Sequence, residues 1–156
     1  AVERKRGGGW EQERTGERGG VWSRLVGLGE WLTNLTGSGA RVEFLLDNLK
    51  LMPDAEQRIK LRADLGGKLM ELARWREAES QLTTARDEAE ALSDPPTLAY
   101  ALNNLAALLE ATNRLSEAEP LMRRALAIMR SSFGDEHPST VTVGQNLEIM
   151  LNVKGA

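Results

Sequence analysis

A pattern of small residues that recurs about every 40 positions constrains the fold of this chain more than any other feature. The segment ARWREAESQLTTARDEA aligns with NRLSEAEPLMRRALAIM, which places Ala78 on Ala118 and Ala85 on Ala125. A leucine followed by glycine or alanine recurs at a similar spacing, at Leu28-Gly29, Leu65-Gly66 and Leu105-Ala106. A fixed period of this length predicts stacked helical or mixed units rather than one closed core.

The apolar residues follow a helical spacing from Val21 onward, and no window alternates apolar and polar residues between hairpin turns. The sequence therefore predicts an all-α fold of helix–turn–helix pairs. Breaks at TGSG, Pro53, SDPP and FGDEHP separate the helices. Two helices are predicted before Pro53, and the later ones over about 55–72, 75–92, 97–111, 116–132 and 138–153.

The small residues predict where helices pack closely, because a small side chain leaves room for the neighbouring backbone. Gly66 and Ala106 are expected to provide this gap on the first helices of two pairs, and Ala78 and Ala118 on the second helices. Glu148 departs from the pattern, since it stands where a small residue is expected, and it predicts a looser or terminal helix. Ser116 and Glu119 have the spacing of a capping box at the start of a helix.

The chain is predicted to consist of two regions. Residues 1–20 combine charge and glycine with almost no apolar content, which predicts a disordered or linker segment. Residues 21–156 are predicted to form the repeat array, with helix pairs over about 21–52, 55–93 and 97–133 and a final unpaired helix over 138–153. Because the chain starts at Ala1 and its last helix lacks a partner, we expect a fragment of a longer protein.

Composition excludes several classes of function. The 20 basic and 23 acidic residues give a net charge of −3, so nucleic acid is not an expected partner. No apolar run approaches the ~18 residues that a membrane span needs. With no cysteine and one histidine, His137, we expect no catalytic triad, no metal site and no cofactor, and hence no enzyme. The absence of cysteine is compatible with a reducing compartment, and we expect a cytoplasmic protein.

The repeat resembles the tetratricopeptide repeat in its Leu-Gly/Ala step, its bulky residue four positions later and the Ala, large apolar, Ala pattern of its second helix. The segments LNNLA, EAEPLMRRALAIM and GDEHPST are similar to the long-period variant of kinesin light chains and of many bacterial repeat proteins. The resemblance implies a right-handed α-solenoid of about 3.5 stacked antiparallel helix pairs. It also implies a non-catalytic scaffold that binds a protein or an extended peptide.

In such a stack the first helices line the concave face. In the family, asparagines at matching positions hold the backbone of a bound peptide, and the resemblance carries this role to Asn103, Asn104 and Asn146. The same asparagines could instead bond only within the helix packing. The residues expected on the concave face, and hence at the peptide, are Tyr100, Asn103, Asn104, Thr142, Gln145, Asn146, Lys60 and Asp64.

Two other functions are compatible with such an array. In bacterial proteins these repeats often follow a nucleotide-binding signalling domain, so the chain could be the regulatory or sensor array of a nucleotide-dependent signalling or transcription-control protein. An upstream nucleotide-binding domain in a longer parent chain would favour that alternative. An enzyme with a helical-repeat body would need a cluster of polar residues without a structural role, and the sequence contains none.

Overall fold

The computed structural model of the protein describes residues 38–156, and it divides the chain into two compact units at Pro53 and Asp54. The segment predicted to be disordered or a linker, residues 1–20, lies outside the described residues. So do the first helix of the pair predicted over 21–52 and the Leu28-Gly29 step. No β-strand occurs within residues 38–156.

The described part of the first unit contains helix α1 (Ser38–Asn48) and a 3-10 turn (Leu49–Leu51). Val42, Leu45 and Leu49 are buried, as their helical spacing predicts. The backbone becomes extended at Met52, directly before Pro53. Proline disfavours helical backbone in the residue that precedes it, which accounts for the end of this segment.

The second unit, Asp54–Ala156, contains five helices. Their lengths and limits lie within about two residues of the predicted ones. In chain order they are α2 (Ala55–Glu71), α3 (Trp75–Leu92), α4 (Pro95–Ala111), α5 (Leu115–Phe133) and α6 (Pro138–Gly155).

Local side-chain chemistry explains most of the helix starts. Asp54 caps α2 by accepting a hydrogen bond from the Gln57 amide at 2.8 Å, and His137 caps α6 by accepting one from the Ser139 amide at 3.2 Å. Proline occupies the first positions of α4 and α6. Its lack of an N–H costs no helical hydrogen bond there, because the first N–H groups of a helix have no partner within the helix.

The capping box predicted for α5 is wrong. The helix begins at Leu115, and its cap residue Arg114 makes no side-chain capping bond. Glu119 instead bonds to Lys154 at 2.5 Å and to Arg123 at 2.9 Å. Two cations provide stronger partners for this carboxylate than a backbone amide does, because both members of each pair are charged.

The links within the two complete pairs adopt the same conformation. Ala73 and Asn113 both have left-handed backbone, with φ of 57° and 60°. In each link the next residue is an arginine whose amide donates back to a leucine carbonyl, from Arg74 to Leu69 and from Arg114 to Leu109. These bonds satisfy carbonyls at the end of the first helix and reverse the chain.

The small residues that recur in the sequence lie inside the packed unit, as predicted. Ala78, Ala85, Ala118 and Ala125 are all fully buried. A Cβ atom built on Gly66 would lie 2.6 Å from Cγ of Leu82, so α2 and α3 meet where one of them has no side chain. The predicted role of small residues is confirmed at these positions.

The second unit is a stack of helix pairs. Helix α4 packs on α5, on the preceding helix α3 and on the preceding first helix α2, while α6 packs mainly on α5. The prediction of an all-α stack of the solenoid type is confirmed for this unit.

Candidate functional site

The residues predicted to bind peptide lie on the first helices α2, α4 and α6, and the structure brings several of them together. Lys60 and Asp64 belong to α2, Tyr100, Asn103 and Asn104 to α4, and Thr142, Gln145 and Asn146 to α6. Two side-chain hydrogen bonds connect residues of different first helices, from Tyr100 to Asp64 and from Asn146 to Asn103. We refer to these eight residues as the first-helix surface.

Tyr100 connects α4 to α2 at this surface. Its hydroxyl donates to Oδ1 of Asp64, and the side chain is partly buried. Burial first, and then the hydrogen bond to the Asp64 carboxylate and the charge of that carboxylate, raise the pKa of Tyr100 to about 12. The phenol therefore stays protonated at neutral pH.

Asn103 and Asn146 connect α4 to α6. The Asn146 amide nitrogen donates to Oδ1 of Asn103 at 3.3 Å, and both side chains are partly buried. Within residues 38–156, neither the Asn103 nitrogen nor the Asn146 oxygen has a further hydrogen-bond partner. The pair therefore presents donors from one helix and an acceptor from the next.

The other members of the surface differ in whether their polar groups already have a partner within the protein. Asn104 donates to the Tyr100 carbonyl at 3.1 Å, and Thr142 donates to the Pro138 carbonyl at 2.9 Å, so both bond to their own helices. Lys60 pairs with Glu56 at 2.5 Å. Gln145 is exposed, and its amide makes no hydrogen bond to any residue that the structure describes.

A second set of polar contacts was not anticipated from the sequence. Arg114, between α4 and α5, bonds to Glu79 of α3 at 2.7 Å and to Glu117 of α5 at 2.8 Å. Lys154 makes the equivalent bond one repeat later, to Glu119. The Lys154 ammonium, followed by the Arg123 guanidinium, lowers the pKa of Glu119. The Arg114–Glu79 bond therefore joins the start of α5 to α3, and the Lys154–Glu119 bond joins α6 to α5.

The spacing of these cations was the signal that could have revealed the set. Arg74, Arg114 and Lys154 lie 40 residues apart, as do Glu79 and Glu119. Residues that recur with the repeat and carry opposite charges are candidates for bonds between repeats.

The described residues show no constellation for acid–base or metal chemistry. His137 caps α6 through Nδ1, and its ring stacks on Phe133 with the centroids 4.5 Å apart, which is a structural role. Within residues 38–156, no three His, Asp or Glu side chains are grouped closely enough to hold a metal ion. None of the helices in that range is long and apolar enough to cross a membrane.

Stacked helix pairs with small residues at their contacts and polar side chains along the first helices define the class of helical-repeat interaction proteins. The family model of the tetratricopeptide repeat matches residues 98–139, which contain most of α4, all of α5 and the start of α6. The chain therefore carries a repeat of the tetratricopeptide family, and the resemblance predicted from the sequence is confirmed. No curated protein matches the sequence significantly.

Tetratricopeptide repeats generally mediate protein–protein interaction. Folds of this kind are typically non-catalytic.

Proposed function

We propose that this chain is a non-catalytic scaffold that binds an extended segment of a protein partner along the first-helix surface. The observation that carries the proposal is the hydrogen bond between Asn146 and Asn103, which aligns amide side chains from two neighbouring repeats. Single amides on a helix are common, but two that meet across repeats and keep unused donors and acceptors form a surface suited to a ligand.

The unused groups match what a peptide backbone requires. Each backbone amide of an extended segment needs one acceptor for its N–H and one donor for its C=O. The Asn103 nitrogen can donate, the Asn146 oxygen can accept, and the exposed Gln145 amide can do both. Contacts of this type are independent of the peptide side chains, so we expect the partner's sequence preference to come from the shape of the surrounding surface.

The surface carries one cation, Lys60, and one anion, Asp64, which bears on how binding responds to salt. Lys60 bonds to Glu56, and Asp64 accepts from Tyr100. Ionic strength weakens contacts between exposed charges and has little effect on neutral hydrogen bonds. We expect the affinity for a partner peptide to change less than about twofold between low and moderate salt, and a steep loss would contradict the proposal.

The test begins with a peptide selected from a random library for binding to the chain. The double variant Asn103→Ala plus Asn146→Ala removes the amides that carry the proposal, and we expect its affinity for the selected peptide to fall about tenfold. Gln57→Ala is the control, because it removes an exposed amide at the start of α2 outside the first-helix surface. Titration calorimetry measures the affinity, and circular dichroism establishes that each variant is folded.

An unchanged affinity in a folded double variant would refute the proposed site and leave the fold intact. If Gln57→Ala lost as much affinity as the double variant, the loss would be a nonspecific effect of removing an amide.

The division into a linker over 1–20 and one array over 21–156 stays a prediction. So does the alternative of a regulatory array in a nucleotide-dependent protein, which a nucleotide-binding domain upstream in the parent chain would favour.

A further inference from the structure

All the cations of the first helices α2, α4 and α6 already have partners, whereas three of their acids do not. Each cation pairs with a carboxylate of the protein, at distances between 2.5 and 3.9 Å. These cations are Arg58, Lys60, Arg62, Lys68 and Lys154. Within residues 38–156, no cation pairs with Asp64 of α2, Glu110 of α4 or Glu148 of α6. The first helices therefore present negative charge that the described part of the protein does not neutralise.

Among these three acids, only Asp64 belongs to the first-helix surface. Its side chain is exposed, and Oδ1 accepts the hydrogen bond from Tyr100. The lysines one turn away on either side, Lys60 and Lys68, bond to other carboxylates of α2, at 2.5 and 2.9 Å. Oδ2 of Asp64 has no partner among the residues that the structure describes, so it is available to a ligand.

The bond from Tyr100 orients the Asp64 carboxylate without neutralising it. A protonated phenol is uncharged, and the raised pKa of Tyr100 keeps it protonated at neutral pH. Because Tyr100 belongs to α4, the bond holds the carboxylate at the boundary between two first helices. A carboxylate that is already held in one orientation loses less conformational freedom when it binds a cation.

This carboxylate lies a short distance from the two asparagines of the surface. The Tyr100–Asp64 bond spans α2 and α4, and the Asn146–Asn103 bond spans α4 and α6. Packed helices lie about 8 to 10 Å apart, and Tyr100 and Asn103 are separated by about 4.5 Å along α4. An extended segment advances about 3.3 Å per residue, so about three of its residues connect the two bonds.

From these contacts we infer that the extended segment bound at the first-helix surface carries an arginine or a lysine opposite Asp64. This basic residue lies about three positions from the part of the backbone that Asn103 and Asn146 hold. The inference rests on the proposed function, because it assigns the chemistry of the partner at the same surface. The basic side chain donates to Oδ2 of Asp64 and neutralises the charge there.

The strength of such a pair is consistent with a weak response to salt. An exposed pair of opposite charges changes an affinity by about threefold. Moderate salt screens only part of that effect, so the change stays within the twofold limit expected above.

The test compares peptides that bind the chain with peptides that bind Asp64→Asn, both selected from one random library. The asparagine still offers an oxygen to Tyr100, so the variant removes the charge and keeps the acceptor. We expect arginine or lysine to predominate at one position of the peptides selected by the chain, and at none in those selected by the variant. Asp87→Asn is the control, since it removes an exposed acid from the second helix α3.

Titration calorimetry then compares one peptide selected by the chain with a matched peptide that has glutamine in place of the basic residue. We expect the matched peptide to bind the chain and Asp87→Asn about threefold more weakly. With Asp64→Asn the two peptides should bind equally, because the charge that distinguishes them is absent. Circular dichroism establishes that each variant is folded, and the comparison on the unaltered chain does not depend on any variant.

Three results would overturn the inference. These are the absence of a basic position among the peptides selected by the chain, equal binding of the two peptides by the chain, and a preference for the basic peptide that persists in folded Asp64→Asn. The last result would assign the preference to Glu110 or Glu148.

The double variant Asn103→Ala plus Asn146→Ala separates these results from a failure of the proposed function. If the selected peptides need the two asparagines and no basic residue, only the present inference is refuted. If they bind the folded double variant as tightly as the chain, the proposed site is refuted, and with it the inference that rests on it.

Discussion

At the residue scale, Tyr100 is the side chain whose environment is most open to direct measurement. It is the single tyrosine of the chain, so tyrosinate absorbance reports on it alone. Burial, the main cause of its raised pKa, acts by disfavouring the charged phenolate. The hydrogen bond to Asp64 acts in the same direction because only the protonated phenol can donate it.

We expect the tyrosinate titration of the folded protein to have its midpoint near pH 12, against about 10 in urea. A folded pKa above the unfolded one contributes stability that is fully present below pH ~10 and is lost as the pH rises through the folded pKa. Asp64→Asn should lower the midpoint without restoring the unfolded value, because burial persists. A midpoint near 10 in the folded protein would contradict this environment for Tyr100.

The left-handed links provide a second prediction at this scale. Asn tolerates left-handed backbone better than Ala does, and the two links differ in this residue, with Ala73 in one and Asn113 in the other. We expect Ala73→Asn to raise the free energy of unfolding by up to about 1 kcal/mol and Asn113→Ala to lower it by a similar amount. Urea denaturation measures both. The two substitutions must change the free energy of unfolding in opposite directions, and a stabilising Asn113→Ala would refute the conformational explanation.

At the scale of elements, the contact between α2 and α3 depends on the absence of one side chain. Gly66 and Gly67 are neighbours on α2, yet a Cβ on Gly66 would overlap Leu82 whereas a Cβ on Gly67 would meet nothing within 4 Å. The two glycines therefore separate the effect of packing from the effect of helix propensity. Few neighbouring positions offer so direct a comparison.

We expect Gly66→Ala to lower the free energy of unfolding by about 1 to 3 kcal/mol, because the added methyl group forces Leu82 or the helices apart. Gly67→Ala should raise it by about 1 kcal/mol or less, because alanine favours the helix. Thermal and urea unfolding of the two variants measure the difference. If both substitutions stabilise the protein, close approach of α2 and α3 at Gly66 is not required.

Prediction from sequence succeeded for the limits of the helices and failed for one helix cap. The limits of α2 to α6 followed from apolar spacing, prolines and turn residues, which act locally. The capping box at Ser116 and Glu119 failed because the helix begins at Leu115, which places Ser116 inside it, and because Glu119 bonds to Lys154, 35 residues away in the sequence. A local motif is reliable only when no stronger distant partner competes for the same side chain.

At the scale of the whole molecule, stability in the unit Asp54–Ala156 should vary along the stack. Repeat stacks gain stability from contacts between neighbouring elements. Helix α4 has three packing neighbours, and α6 packs mainly on α5 while leaving Ile149 and Val153 more than half exposed. Fewer buried contacts allow local opening at a lower free energy.

We therefore expect amide hydrogen exchange to be slowest in α4 and faster in α6, with the last turns of α6 the least protected. Native-state exchange followed by mass spectrometry measures this order. Lys154→Ala should speed exchange near the end of α6, because it removes the bond to Glu119, and Lys68→Ala, which removes an exposed pair within α2, serves as the control. Uniform protection across α2 to α6 would contradict nearest-neighbour stacking.

The sequence alone determined that the second unit is helical, where its helices begin and end, and which small residues lie between them. These features depend on spacing and on neighbours in the chain, which a sequence displays directly. Only the tertiary structure decided that Tyr100 pairs with Asp64 and that Asn103 meets Asn146. These contacts join residues many positions apart, and their existence depends on how far each helix is shifted and rotated against the next, which packing sets only when the whole stack assembles.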